Sequence, residues 1–327
     1  MADLAPAEGP ILRAILEATY DIWCEGLTPT AYERYYRAQL ATAWGGRQLQ
    51  RVALVEGSDV VASAKLYSFA ATLDGDPVHV VGLGAVFTQP AHRGRGAARE
   101  LIERLLARAT AEGMDLALLF SEIGADYYTR LGFAPIATQV LALRVTESDR
   151  HGAPATLVRA GEDRDLTAIA AMGEARARSY RFHLDRDREL VQYAISKKRL
   201  LAGLGPAGVR EVQFFVAEEG ASAVAYVVLT ARCDGVSPSW ILEECGDRDP
   251  TGARAGAILQ TLLARDPAET RPSVTAWLPH GFRPPQVIGV GERPSNDVMM
   301  VRALSVRARA ALPLWGEDVL YWHSDVF

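Results

Sequence analysis

Apolar positions near the start of the chain recur at helical spacing, with Ile11, Ile15, Ala18, Ile22 and Trp23 on one face and a second run, Ala31 to Trp44, rich in Tyr and Arg. The period then shortens. Gln50 to Val55, Val60 to Ala71 and Val78 to Thr88 read as strands joined by the turn sequences Glu56-Gly57-Ser58-Asp59 and Leu73-Asp74-Gly75-Asp76, an antiparallel meander. A Gly/Arg loop after Pro90 leads into an amphipathic helix from about Ala97 to Ala111, which Gly113 closes. Leu116 to Phe120 is apolar throughout, as in a strand buried on both faces and reached by a crossover helix. A short helix, Ala125 to Leu131, is broken by Gly132-Phe133-Ala134-Pro135, and Thr138 to Val145 reads as the last strand of this half.

The polar stretch Glu147 to Pro154 suggests a domain boundary, giving domains at 1–150 and 151–327. Beyond it the order recurs in weaker form. Helical pieces between Asp163 and Lys198 precede β runs at Val212 to Glu218, Ala223 to Ala231 and Trp240 to Cys245; a helix, Ala253 to Ala264, follows, and Val274 to Leu278 and Val298 to Leu304 are expected to complete a second sheet. The pattern is α/β with mixed strand direction, present twice.

A length of 327 residues with 49% apolar composition suits two domains. No apolar stretch approaches the roughly 20 residues that cross a bilayer, and Met1 to Pro10 lacks a signal pattern, so the expectation is a cytoplasmic protein. Cys24, Cys233 and Cys245 are too few and scattered for a disulfide framework or a zinc site, so no metal is expected. A net charge of −5 argues against nucleic acid and favours cationic partners such as amines.

Arg93-Gly94-Arg95-Gly96-Ala97-Ala98 lies between a strand and a helix. Small residues there let the backbone approach a pyrophosphate, and the unpaired amides of a helix's first turn form a partly positive anion site. A Gly-rich turn that merely caps the helix would have the same composition. The Gly-Lys-Ser/Thr ending of a P-loop is absent, and Gly-x-Gly-x-x-Gly is not satisfied.

With Arg93, Gly96 and Ala98 in its three fixed places, this loop resembles the phosphate loop of the GNAT superfamily of N-acetyltransferases. Gly82-Leu83-Gly84-Ala85-Val86-Phe87-Thr88 resembles that family's fourth strand, and Asp126-Tyr127-Tyr128-Thr129-Arg130-Leu131-Gly132-Phe133 its Tyr-x-x-x-Gly-Phe motif. The resemblance implies a GNAT sheet flanked by helices, a second, degenerate GNAT-like domain, and acetyl-CoA as acyl donor to a primary amine. It implies that the amides of Arg95 to Ala98 hold the pyrophosphate, with Gly94 in the loop and Arg93 or Arg95 adding charge. Val86, Phe87 and Thr88 then pair with the pantetheine arm, and Tyr128 protonates the departing thiolate.

No Ser or Cys occupies a nucleophile-elbow context, so direct attack by the amine is the simpler chemistry and needs a base. Glu122, at the end of the buried strand, is one candidate, or else a solvated carboxylate; His79 is another, or else structural. The segment from Leu119 to Phe133 further resembles the fungal lysine N-acetyltransferases and, more distantly, the mycobacterial enhanced intracellular survival acetyltransferases. The latter resemblance implies that the terminal carboxylate, here of Phe327, enters the active site as a base; the aromatic-rich Leu320 to Phe327 is expected to pack back toward the catalytic cleft, or else to dock on its own domain. In the second half the equivalent loop, Gly246 to Ala253, carries Asp247, Asp249 and Pro250, so CoA is not expected to bind there. The partner is a small amine, lysine-like by resemblance, with homo-oligomerisation open; a non-catalytic acyl-CoA-binding regulator is the alternative function.

Overall fold

The structure, a computed structural model, describes residues 2–147, 157–233 and 238–327. In chain order the elements are β1 (Asp3–Pro6), α1 (Gly9–Trp23), α2 (Pro29–Leu40), α3 (Gly45–Gln48), β2 (Leu49–Glu56), β3 (Asp59–Leu73), β4 (Asp76–Thr88), α4 (Ala97–Ala111), β5 (Leu116–Ser121), α5 (Asp126–Thr129) and β6 (Ala134–Ile136). There follow β7 (Gln139–Val145), β8 (Leu157–Ala160), α6 (Leu166–Ala177), β9 (Phe182–Leu184), α7 (Arg188–Leu204), β10 (Arg210–Glu219), β11 (Ser222–Cys233), β12 (Pro238–Asp247), α8 (Ala253–Leu263), β13 (Ser273–Ala276), β14 (Val287–Pro294), β15 (Val298–Ala303), α9 (Val306–Ala311) and β16 (Val319–Leu320).

The chain forms two compact units. One comprises Met1–Ala137, Asn296–Trp315 and Phe327; the other comprises Thr138–Ser295 and Gly316–Val326. The first has the sheet order β1-β2-β3-β4-β5-β15-β6 and the second β8-β10-β11-β12-β13-β7-β14, so corresponding places carry corresponding elements. In each sheet the meander is antiparallel, and one parallel pair, β4 with β5 or β12 with β13, follows a crossover helix. The α/β fold with two mixed-direction sheets is the expected one.

Two strand assignments are corrected. Gln139–Val145, expected in the first sheet, lies between β13 and β14 of the second. Val298–Ala303, expected in the second, lies between β5 and β6 of the first. The sixth place of each sheet is thus filled from the other half of the chain, because β6 and β15 pair as the arms of a hairpin would, Ile136 opposite Met299. The chain passes from one unit to the other after Ala137, Ser295, Trp315 and Val326. From position 148 onward the expected boundary stretch, 147–154, lies outside the described residues.

Local chemistry explains the pieces that position the site. Asp74 and Gly75 both have positive φ, as the two-residue β3–β4 turn demands. On α4, Ala97, Leu101, Ile102, Leu105, Leu106 and Ala109 are buried against β2, β3 and β4, while Arg99–Glu103, Glu100–Arg104 and Arg108–Glu112 pair at i,i+4 on the exposed side. Leu116 to Leu119 are at most 1% exposed, consistent with a strand flanked on both edges. Among the described residues no helix is long and apolar enough to cross a membrane.

Candidate active site

At the start of α4, Gly96 is the N-cap with φ of 83° and ψ of 5°, and no side chain caps the helix. Helix geometry leaves the amides of Ala97, Ala98 and Arg99 without intrahelical partners. Gly94 is also left-handed, at φ 74°, and no atom lies within 4 Å of where a Cβ would stand on either glycine. The glycines therefore serve backbone conformation and leave space above the helix end open. Arg93 and Arg95 are exposed; Arg93 Nε donates to the Thr88 carbonyl at 3.3 Å, tying the loop to the end of β4.

The strand before the loop breaks register near its end. Ser63 faces Phe87 and Lys65 faces Gly84, so β4 carries an extra residue, and Ala85 has φ of 47°. β4 pairs with β5 from Val80 to Leu83; beyond that, Phe87 and Thr88 pair with β3, and Val86 to Thr88 have no pairing on the β5 edge. β5 itself runs on to Ser121 against β15. The result is an opening between two parallel strands that points toward the uncapped helix end.

Tyr128 sits on the single turn α5, 8% exposed, in the core cluster that holds Leu83, Ala97 and Leu119. Left-handed Gly132 turns the chain so that Phe133 N donates to the Tyr128 carbonyl at 3.1 Å and the two rings meet edge to face at 6.1 Å. That fold-back is the physical reason for the Tyr-x-x-x-Gly-Phe spacing. Burial, then Tyr127 and Glu122, push the Tyr128 phenol up to about 12, so it stays protonated at neutral pH.

Residues 16–136 match the family described as acetyltransferase (GNAT) domain. This segment carries a GNAT acetyltransferase domain. The match ends at Ile136, the last residue of β6, where the chain leaves the first unit. The whole fold is similar to a GCN5-related N-acetyltransferase from Anabaena variabilis (12% identical, TM-score 0.71, covering 94% of this chain and 74% of that one). It is similar also to a GCN5-related N-acetyltransferase from Kribbella flavida (20%, 0.68, 94% and 72%) and to Eis1 from Mycobacterium abscessus (16%, 0.57, 95% and 76%). No curated protein matches the chain by sequence.

In the GNAT unit Glu122 follows β5 directly. Burial first, then the carboxylates of Asp297 and Glu25, raise its pKa. His79 is paired in β4, where its backbone amide donates to Asp115 Oδ2 at 3.1 Å. The Phe327 ring packs on Tyr67, Phe69 and Phe120 at 4.5, 5.5 and 5.5 Å, over Gly82 and Gly84. A Cβ on Gly82 would meet that ring at 2.6 Å, so close approach explains this glycine; the positive φ of the bulge falls on Ala85 instead. The Phe327 main-chain oxygen lies 3.3 Å from the Cβ position of Gly84.

The second GNAT-like unit repeats the scaffold and fills it with its own groups. β12 has its irregularity at Glu243, and α8 starts from left-handed Gly252. Asp247 Oδ2 accepts from the amides of Arg254 (2.7 Å) and Ala255 (3.1 Å), and Oδ1 from Asp249 N (2.8 Å), so a carboxylate occupies the helix-start anion position. At the β12 irregularity Glu243 accepts from Thr230 Oγ1 at 2.5 Å, lies 2.5 Å from His323 Nδ1 and is paired with Lys198 at 3.0 Å. Burial would raise this carboxyl, but Lys198 and His323 hold it well below the usual range. Beside it Arg186 pairs with Glu244 at 2.5 Å and Asp325 at 3.0 Å, and Lys197 donates to the Val326 carbonyl at 2.6 Å. Gly316–Val326 therefore pack within the second unit. Sequence reasoning missed Arg186 and Lys197; two adjacent glutamates inside the apolar run Trp240 to Cys245 were the available signal.

Proposed function

We propose that this chain transfers an acyl group, acetyl in the first instance, from acyl-CoA to the primary amine of a small, lysine-like acceptor by direct attack in a ternary complex. What carries this reading is the alignment of an uncapped helix start, entered through two left-handed glycines, with the unpaired β5-facing edge of Val86 to Thr88. The residues fit the donor: the open space above Gly94 and Gly96 admits a pyrophosphate, first-turn amides meet its charge, and the bare strand edge offers hydrogen bonds to an extended arm.

In this scheme the neutral amine attacks the thioester carbonyl, a tetrahedral adduct forms, and its collapse expels the CoA sulfur. Tyr128 gives that sulfur its proton and regains one from the attacking nitrogen, which sheds it as the amide forms. A phenol near 12 remains a hydrogen-bond donor through the whole physiological range, which suits stabilisation of charge growing on sulfur. Glu122, whose pKa is raised by burial first and then by Asp297 and Glu25, is the base for the ammonium proton, and these carboxyl groups draw cations toward the end of β5. Phe327 presents a main-chain oxygen at Gly84.

The test is Tyr128→Phe, which keeps the ring and its packing on Phe133. We expect kcat to fall about 10²-fold or more while CoA affinity by calorimetry changes little. Wild-type kcat in that variant would remove Tyr128 from the reaction. In the wild type, ionisation of Tyr128 should produce no loss of kcat until pH approaches about 12, because the acid is protonated below its pKa.

A further inference from the structure

The Phe327 ring sits at the point where β4 and β5 part. Leu83 with Leu119 is the last β4–β5 pair, so Gly84 and Phe120 are the first residues beyond it on their strands, and the ring touches both. It lies on the face opposite α4, close against backbone. A Cβ on Gly82 would stand 2.6 Å from Phe327 Cζ, and one on Gly84 3.2 Å from Phe327 Cδ2. Tyr67 and Phe69 form the floor beside these glycines, and Phe120 meets the ring edge-on at 85°. The floor is buried, whereas Phe327 and Phe120 are partly exposed toward the opening.

The acyl-transfer reading brings the thioester to this point. An arm added to the Val86 to Thr88 edge lies in the plane of the sheet and runs from the start of α4 toward Leu83. It cannot continue in that plane, because the Leu83–Leu119 pair closes the gap between the strands. On the α4 face Leu83, Leu119 and Tyr128 are packed in one core cluster and at most 8% exposed, so that side is already filled. The other face has depth, since Gly82 and Gly84 bear no side chains. The Phe327 ring occupies that depth. An acyl group turned to this face therefore meets phenyl within a short distance of the sulfur.

We infer that the Phe327 side chain is the end wall of the acyl site and sets how long an acyl chain the donor can carry. Acetyl fits in front of it. A longer chain must lift the ring from Tyr67 and Phe69 or turn out to solvent, and neither course gains the burial of the added methylenes. With the ring removed, the two glycines open a slot walled by Tyr67, Phe69 and Phe120 that takes a straight hydrocarbon chain. This inference rests on the acyl-transfer reading and adds the residue that fixes donor length.

Donor binding tests it without an acceptor. Affinities for acetyl-, butyryl- and hexanoyl-CoA are measured by calorimetry on the full chain and on its Phe327→Ala and Phe327→Leu variants. We expect the wild type to bind hexanoyl-CoA at least about tenfold more weakly than acetyl-CoA, with butyryl-CoA between them. Phe327→Ala should abolish or reverse that order, since each methylene then buried adds about fourfold. Phe327→Leu keeps part of the wall and should admit butyryl-CoA while still disfavouring hexanoyl-CoA; its smaller loss of volume also decides the matter if Phe327→Ala does not fold. A role confined to packing would shift the three affinities together. Such a uniform shift in the variants, or a wild type that binds hexanoyl-CoA as tightly as acetyl-CoA, would overturn the end wall and leave the donor site intact. A wild type that binds none of the three would overturn the acyl-transfer reading itself.

Discussion

Gly96→Asp is expected to abolish CoA binding while leaving the fold intact. The substitution places a side chain on a left-handed residue, a strain of about 1 kcal/mol that aspartate tolerates better than most residues. Space is not the obstacle, since nothing lies within 4 Å of the new Cβ. A carboxylate at the N-cap would accept from the first-turn amides and repay about 0.5–2 kcal/mol of that strain. Those are the amides proposed to hold the pyrophosphate, and the carboxylate of Asp247, reaching from the end of β12 to the first amides of α8, shows the same fold accommodating such a group. Ligand and side chain would compete for one set of donors, with like charges a few ångströms apart, so calorimetry should show affinity reduced at least about 100-fold with an almost unchanged melting temperature. Unaltered affinity would mean that the cofactor does not use this loop.

The second large effect concerns where the chain can be cut. A chain ended at residue 150 retains β1 to β6 but loses β15, leaving Leu116 to Ser121 paired along one edge only and β6 with no neighbour in its sheet. An apolar strand edge laid bare in this way favours aggregation. We expect that fragment to be insoluble or to lack a cooperative thermal transition. Because Ile136 faces Met299 and Ala134 faces Val301, joining Ala137 to Asn296 through a two-residue Asn-Gly turn and ending at Trp315 would close β6 and β15 into a continuous hairpin. That shorter chain should fold and bind CoA, as read by melting with and without the nucleotide. If the 1–150 fragment folded and bound CoA equally well, the strand exchange would have no energetic weight.

Much of the GNAT unit could be read from local chemistry. The meander, the α4 stripe and the Gly132-Phe133 fold-back each depend on residues close in sequence, so period and turn signals were sufficient. The exchange of β7 and β15 was not legible, because both are short apolar runs and chain order favours pairing within the same half, whereas the hairpin between β6 and β15 joins residues more than 150 positions apart. β1, β6, β9 and β16 are two to four residues long, too short to show a period. At the candidate site the loop and Tyr128 stood out by motif. The close approach of the Phe327 ring to Gly82 joins residues far apart in the chain and left no local signal.

Asp247 has a consequence for how cofactor titrations should be interpreted. The amides of Arg254 and Ala255 are already engaged by an internal carboxylate, so their hydrogen exchange is slow with or without nucleotide, and they provide a built-in reference. Only the turn at Ala97 to Arg99 has protection left to gain, and any CoA-dependent slowing of exchange at a helix start would report on that half alone.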